Sequence, residues 1–453
     1  MILSRNRAFY RQAVRLTGFI ALQNVIVCFV GLADNVMIGA YSQDALSGVA
    51  LANQIQFLLQ MLVSGVGEGM AVIAAQYWGT RRIKPIRRVV AIAAEFAVAM
   101  GAVFLALAQL CPEGMLGLLT ADAAAIGQGA KYMRIVSYSY LFFGLSMVLI
   151  SAQRSIENVR VGMYASIAGL LVNIALNWML IFGNLGAPRM GVEGAAIATL
   201  IARVVECGVA ALYTYRADRK LAAALRDFLH PDGALLRDFF RVAVPVILSG
   251  GSWGIAQAVQ TGILGHMGSA AIVANSIANS LFQVVSVVAY GMASASAVLI
   301  GKAVGSDDRD NLMGYVNSLQ LMYLGIGIAS GLVLFVGTDL VLGLYAVTPE
   351  ALQMARDFLT VLSVTVVGTA YQCSCLTGIV RGGGNTKFVF YNDLIFMWGI
   401  VLPTSLLAAF AWGWSPVWVF FCLKSDQIIK CFVALWQVNS YRWVRKVTRE
   451  DGI

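Results

Sequence analysis

Twelve apolar stretches, each long enough to cross a lipid bilayer, constrain this chain more than any other feature. They lie near residues 14–39, 46–76, 89–111, 130–152, 161–183, 193–215, 240–265, 272–303, 313–337, 355–379, 388–411 and 416–439. Crossing ~30 Å of hydrocarbon takes about 20 apolar residues in helical form. Several stretches are longer than that, which implies tilt or extension past the bilayer. The composition agrees: 12% of the residues are charged, about half of what a soluble domain carries. The expected fold class is an all-α integral membrane protein with twelve transmembrane helices. The segment Met1–Arg15 is basic, but the apolar run behind it continues to Ile38 without a small-residue cleavage site at the depth of a secretory signal. The first stretch is therefore expected to be a retained helix.

The net charge of +9 could suggest a nucleic-acid partner, yet the basic residues sit in short connections between apolar runs. Alternate connections, including both termini, hold 25 of the 32 Lys and Arg residues, among them Arg81, Arg82, Lys84, Arg87 and Arg88. The opposite set holds Lys131, Arg134, Arg189 and Arg356. Basic residues accumulate on the cytoplasmic side, so both termini are expected there, in a bacterial inner membrane, and the number of spans is even.

The longest cytoplasmic connection, 216–239, contains the turn signal His230-Pro231-Asp232-Gly233 and lies near the middle of the chain. A repeat explains its position. With a shift of 226, Arg15, Leu22, Gly39 and Ala45 meet Arg241, Leu248, Gly265 and Ala271, and Gly65 and Gly79 meet Gly291 and Gly305. With a shift of 227, Arg154-x-x-x-Asn158-x-Arg160 meets Arg381-x-x-x-Asn385-x-Lys387. The expected architecture is two pseudo-symmetric six-helix lobes, 1–227 and 228–453. Since six is even, the halves share an orientation and are related by an axis along the membrane normal.

Ionisable residues inside spans are expensive and are candidates for function. Asp34 is the first, within the first stretch; its repeat equivalent is Gln260, so packing symmetry does not demand a carboxylate. Asn173 and Asn177 are four apart and share a helical face, where their amide oxygens can bind a cation or a carboxyl proton. Glu68 and Asp393 are secondary coupling candidates. Arg203 with Glu206, and Asp426 with Lys430, have the spacing of intrahelical ion pairs. Gly65-Val-Gly67-Glu-Gly69 and Met292-Ala-Ser-Ala-Ser-Ala297 are expected to permit close helix approach. Aromatic and Met side chains at Trp253, Phe282, Tyr290 and Met292 are candidates for lining a substrate cleft. Gly382-Gly383-Gly384 lacks the Lys-Ser/Thr ending of a phosphate loop, so no nucleotide is expected. Seven scattered cysteines and two histidines suggest neither a disulfide framework nor a histidine metal site, and no cofactor is expected.

These residues resemble the multidrug and toxic compound extrusion (MATE) transporters over essentially the whole chain. The resemblance rests on Asp34-x-x-x-x-Gly39, Gln76-Tyr-Trp-Gly79, Arg154-x-x-x-Asn158, Asn173-x-x-Leu-Asn177-x-x-x-Ile181-Phe-Gly183, Gly191-Val-x-Gly194-Ala-Ala-Ile-Ala-Thr199 and Arg381-Gly-x-Gly-Asn385-Thr-Lys387. It implies a V-shaped pair of bundles, no enzymatic activity, and efflux of amphipathic, often cationic compounds in exchange for protons or sodium, by a monomer. It also implies that Asp34, Asn173 and Asn177 bind the coupling ion. Some members carry an aspartate where Asn177 stands, which leaves proton and sodium both open. NorM-type members place carboxylates in helices 7 and 10, where this chain has Trp253 and Ala370 or Tyr371. The alternative is a lipid-linked saccharide flippase of a related superfamily, which would call for a more cationic cavity.

Overall fold

The computed structural model describes residues 3–120, 122–222, 227–228, 232–343 and 347–449. His230, Pro231 and Arg226 of the central connection lie outside the described residues. The described residues form helices and connections with no strand among them. The helices are α1 (Arg7–Tyr41), α2 (Gln43–Gly79), α3 (Ile83–Leu110), the short α4 (Pro112–Gly117), α5 (Ala123–Val136), α6 (Ser139–Ser155), α7 (Arg160–Phe182) and α8 (Val192–Leu212). They continue with α9 (Gly233–Gly265), α10 (Ser269–Gly305), α11 (Arg309–Leu342), α12 (Pro349–Cys373), α13 (Thr386–Leu394), α14 (Leu402–Leu406), α15 (Pro416–Lys424) and α16 (Asp426–Ser440).

Among the described residues, ten helices are long and apolar enough to cross a membrane, and eleven if α5 and α6, bent by 56° at their junction, count as one span. The last expected stretch, 416–439, is also helical but is broken at Ser425 into α15 and α16. Lys424, Asp426 and Lys430 crowd this break. The expected fourth stretch began too late, because Lys131 and Arg134 interrupt the apolar pattern of α5.

Local chemistry accounts for the helix ends. Ser42, Asp122 and Thr348 cap α2, α5 and α12 by accepting hydrogen bonds from free backbone N–H groups. Gly183, at φ +77°, closes α7 in the left-handed conformation that glycine tolerates best. π-helical turns follow α12 at Ser374–Val380 and α13 at Ile395–Val401. Small residues let helices approach, as expected of the Gly65–Gly69 stretch. A Cβ on Gly65 would lie 2.6 Å from the Ile247 backbone, one on Gly69 2.6 Å from Ala243 Cα, and one on Gly67 2.7 Å from Ser151 Oγ.

The chain packs as two compact units, one of residues 22–247 and one of residues 3–21 with 248–449. They differ from the halves read by repeat at the first helix of each half. Helix α1 changes unit after Ala21, and α9 changes unit after Ile247. In the second unit Gly291 meets Ala21 and Thr17 of α1, with a Cβ there 3.1 Å from Ala21 N. The same unit is built around Phe358, stacked on Phe420 at 4.1 Å between ring centroids, with Leu359, Leu362, Val401 and Val419 buried beside them. All seven cysteines are free.

Candidate functional site

The first unit gathers polar side chains from helices that are otherwise apolar. Asp34 comes from α1, Asn173 and Asn177 from α7, Tyr132 from α5, and Thr199 and Arg203 from α8. The Asn177 amide donates from Nδ2 to Asp34 Oδ1 at 2.5 Å and to Asn173 Oδ1 at 3.3 Å. Spacing by four places both asparagines on one face of α7, and both are essentially buried, at 1% and 0% exposure. The three residues expected to act together are thus in contact.

This site has unpaired polar atoms. Asn173 Nδ2 and Asn177 Oδ1 are buried and make no hydrogen bond. Such groups carry a desolvation cost, which a bound ion or a transferred proton can relieve.

Two further residues were missed by sequence reasoning. Tyr132 is buried near Thr199 and near Asp34. Thr199 ends the Gly191–Thr199 motif, a signal that was present. Tyr132 stands between Lys131 and Arg134 at the start of the expected stretch 130–152, where nothing marked it out. Arg203 is close enough for its charge to act on both Asp34 and Tyr132. Its guanidinium pairs with Glu206 at 2.7 Å and lies 5.0 Å from the Phe143 ring centroid.

The other candidates lie elsewhere. Glu68 on α2 is exposed and interacts electrostatically with Arg154. Asp393, in the second unit, accepts from Ser249 Oγ at 2.7 Å and pairs with Lys430 at 3.2 Å. Trp253 and Tyr290 are 40% and 38% exposed, and Phe282 packs against the core with the Lys424 ammonium 5.9 Å from its ring centroid. Met292 is 1% exposed and accepts the Thr17 hydroxyl on sulfur at 2.9 Å; it packs rather than presenting a surface. Among the described residues, no group of three or more His, Cys, Asp or Glu is placed to hold a metal ion.

The MatE family model matches this chain twice, over residues 20–179 and 245–407. A probable multidrug resistance protein NorM of Thermotoga maritima is 23% identical over 433 residues, covering 94% of this chain and 92% of that protein. An uncharacterized transporter, YisQ, of Bacillus subtilis is 26% identical over 440 residues, covering 95% of this chain and 94% of the relative. A crystal structure of a Vibrio cholerae MATE transporter superposes with a TM-score of 0.88 at 17% identity, covering 97% of this chain and 98% of that one. The same fold recurs in a crystal structure of a MATE protein in a bent conformation, with a TM-score of 0.85 at 19% identity, covering 95% and 96%. Two matches that together span most of the chain, on twelve helical stretches with a polar cluster inside the first unit, leave one conclusion: this protein is a membrane transporter, not an enzyme, and belongs to the MATE family.

Proposed function

We propose that this protein exports amphipathic cations in exchange for protons, with Asp34 carrying the proton and Asn173 and Asn177 holding it. The observation that supports this most is the buried, unpaired Asn177 Oδ1 beside a membrane carboxylate. A lone carboxylate in a low-dielectric bundle must be protonated, paired or bound to a cation. Protonation gives Asp34 an O–H donor, and Asn177 Oδ1 is an acceptor with no other claim on it. The Asn177 N–H already donates to one carboxylate oxygen, which leaves the other oxygen to carry the proton.

Loading the proton removes the charge on Asp34 and lets α1 repack against α7. Drug and proton then compete through shape, and alternating access follows as rigid rocking of bundles. The relatives named as multidrug resistance proteins support a broad set of small-molecule substrates. The loop charges support an inner-membrane protein with both termini cytoplasmic.

Sodium is the second reading. The same unpaired oxygen, with Asp34 and Thr199, could ligate it. Proteoliposomes with proton and sodium gradients imposed separately decide between the two. Proton-driven uphill export in sodium-free buffer is the expected result; export that follows only the sodium gradient overturns it.

A further inference from the structure

The second unit contains a buried charge network that the reading above does not use. Lys430 on α16 is 5% exposed in its side chain and lies between two carboxylates, 3.2 Å from Asp393 Oδ1 and 3.3 Å from Asp426 Oδ2. The two acids differ in kind. Asp426 is 2% exposed in its side chain, and its other oxygen accepts from Gln427 Nε2 at 2.9 Å. Gln427 is itself fixed by Gln372, whose Nε2 donates to Gln427 Oε1 at 2.8 Å. Asp393 is 32% exposed in its side chain and is oriented by the Ser249 hydroxyl on α9.

We infer that Asp393 is a binding site for the cationic group of cargo, and that Lys430 is a resident cation which cargo displaces onto Asp426. This inference rests on the reading that the exported compounds are cations.

Removing one partner from a buried ion pair leaves an uncompensated charge, which is costly. Exchanging the partner avoids that cost. A cargo ammonium or aromatic cation can take Asp393 because Lys430 keeps Asp426. Every carboxylate is paired before and after the exchange. A lysine with only one carboxylate would have no second place to go.

The surroundings of Asp393 suit an amphipathic cation. Trp398, 39% exposed, lies in the π-helical turn that follows α13, and its Nε1 donates to Ser252 Oγ at 2.7 Å. Asp393 and Trp398 therefore both reach α9, at serines three residues apart. Phe396 lies under Lys430, with the ammonium 5.8 Å from its ring centroid. Aromatic faces beside a carboxylate attract cations with apolar bodies. The other nearby ammonium, Lys424, rests on the rings of Phe282 and Phe420, 5.9 and 5.6 Å from their centroids, and makes no ion pair with Asp393.

The test is equilibrium binding to purified full-length protein in nanodiscs, using ethidium as a permanent cation and Nile red as a neutral amphipathic probe. Asp393→Asn should weaken ethidium by about tenfold or more, the scale of one lost ion pair, and leave Nile red unchanged. Asp426→Asn should also weaken ethidium, because Lys430 then has only Asp393. Adding Lys430→Met to Asp426→Asn should restore ethidium binding, since the competitor is gone. This reversal tests the exchange independently if Asp393→Asn fails to fold. Wild-type ethidium affinity in Asp393→Asn, or a double variant no better than Asp426→Asn alone, overturns the inference while leaving proton-coupled export intact. Failure of the wild-type protein to bind ethidium overturns both the inference and the cationic cargo reading.

Discussion

The two units carry their buried charge in opposite ways. In the first, Asp34 is surrounded by neutral amides, and two amide atoms stay unpaired. In the second, Asp393 and Asp426 share a lysine, and the shared ammonium leaves both carboxylates paired. The repeat makes the contrast sharper. The position equivalent to Asp34 is Gln260, which is 6% exposed and donates to Met397 Sδ at 3.4 Å. A carboxylate waiting for a cation has been replaced there by an amide that is part of the core. Duplication supplied the scaffold twice, and each copy then acquired its own charged residues at different places.

The largest expected effect comes from Asp34→Asn. The amide mimics the neutral acid, so the protein should insert and fold, but proton-driven export in proteoliposomes should fall to background. Gln260→Ala, at the equivalent position, should keep export. Equal loss in both variants would break the comparison and assign both positions to packing. Lys430→Met ranks next, and its effect is on stability. It leaves two carboxylates without their cation, and breaking a buried pair costs about 3–5 kcal/mol. Arg203→Met should cost less, because Arg203 and Glu206 are 20% and 10% exposed in their side chains. Thermal unfolding of both variants in detergent checks the order. A larger loss for Arg203→Met would show that the charge of the first unit is the structural one.

A third difference lies in the connections. The repeated segments Arg154–Asn158 and Arg381–Asn385 fold into the same turn. Glu157 N bonds to Arg154 O at 2.9 Å, and Gly384 N to Arg381 O at 2.9 Å. The fourth residue of each has positive φ, +67° at Glu157 and +97° at Gly384. Ile156 fills its own place in the first unit, at 5% exposure. Its equivalent is Gly383, and the empty space is taken by Trp443 from the tail after α16, at 0% exposure. A Cβ on Gly383 would lie 2.1 Å from the Trp443 ring. The tail is also held by Arg445 N bonding to Gly383 O at 2.8 Å. Gly383→Ala should therefore cost about 1–3 kcal/mol through overpacking and shift Trp443 fluorescence. A Gly383→Ala variant with unchanged fluorescence and melting temperature would show that the tail docks without this notch.

Much of this was legible in the sequence, for physical reasons. Twelve apolar stretches read as helices because lipid demands long apolar surfaces. Asp34, Asn173 and Asn177 stood out because polar residues are costly in such stretches. The pairs Arg203–Glu206 and Asp426–Lys430 followed from helical spacing, and both formed. The link from Lys430 to Asp393 did not follow, because it joins helices 37 residues apart in sequence. The tail's role was hidden because nothing local to the three glycines at 382–384 says which distant side chain packs on them.

The smallest expected effect concerns the tail's electrostatic contact, and again a repeat frames it. Arg81 and Asp307 occupy equivalent turns with φ of +59° and +58°. Where the first unit has a cation, the second has an acid, and Asp307 pairs with Lys446 of the tail at 3.0 Å and with Arg309 at 3.0 Å. Hydrogen bonds from Lys446 and then Arg309 hold the Asp307 carboxyl below its usual range. A depressed acid stabilises the docked form above its free pKa and stops doing so as pH falls through the lowered value. Docking should thus be constant near neutrality and weaken only at pH below the ordinary carboxylate range. Exposed pairs are also screened by salt, so high ionic strength should produce the same small loosening at neutral pH. Asp307→Asn should remove both dependences while Trp443 stays buried, because the notch at Gly383 does not involve charge. Trp443 fluorescence across pH and salt reads this directly. A tail that is fully released by Asp307→Asn would mean that the ion pair, and not the indole in its notch, holds the tail in place.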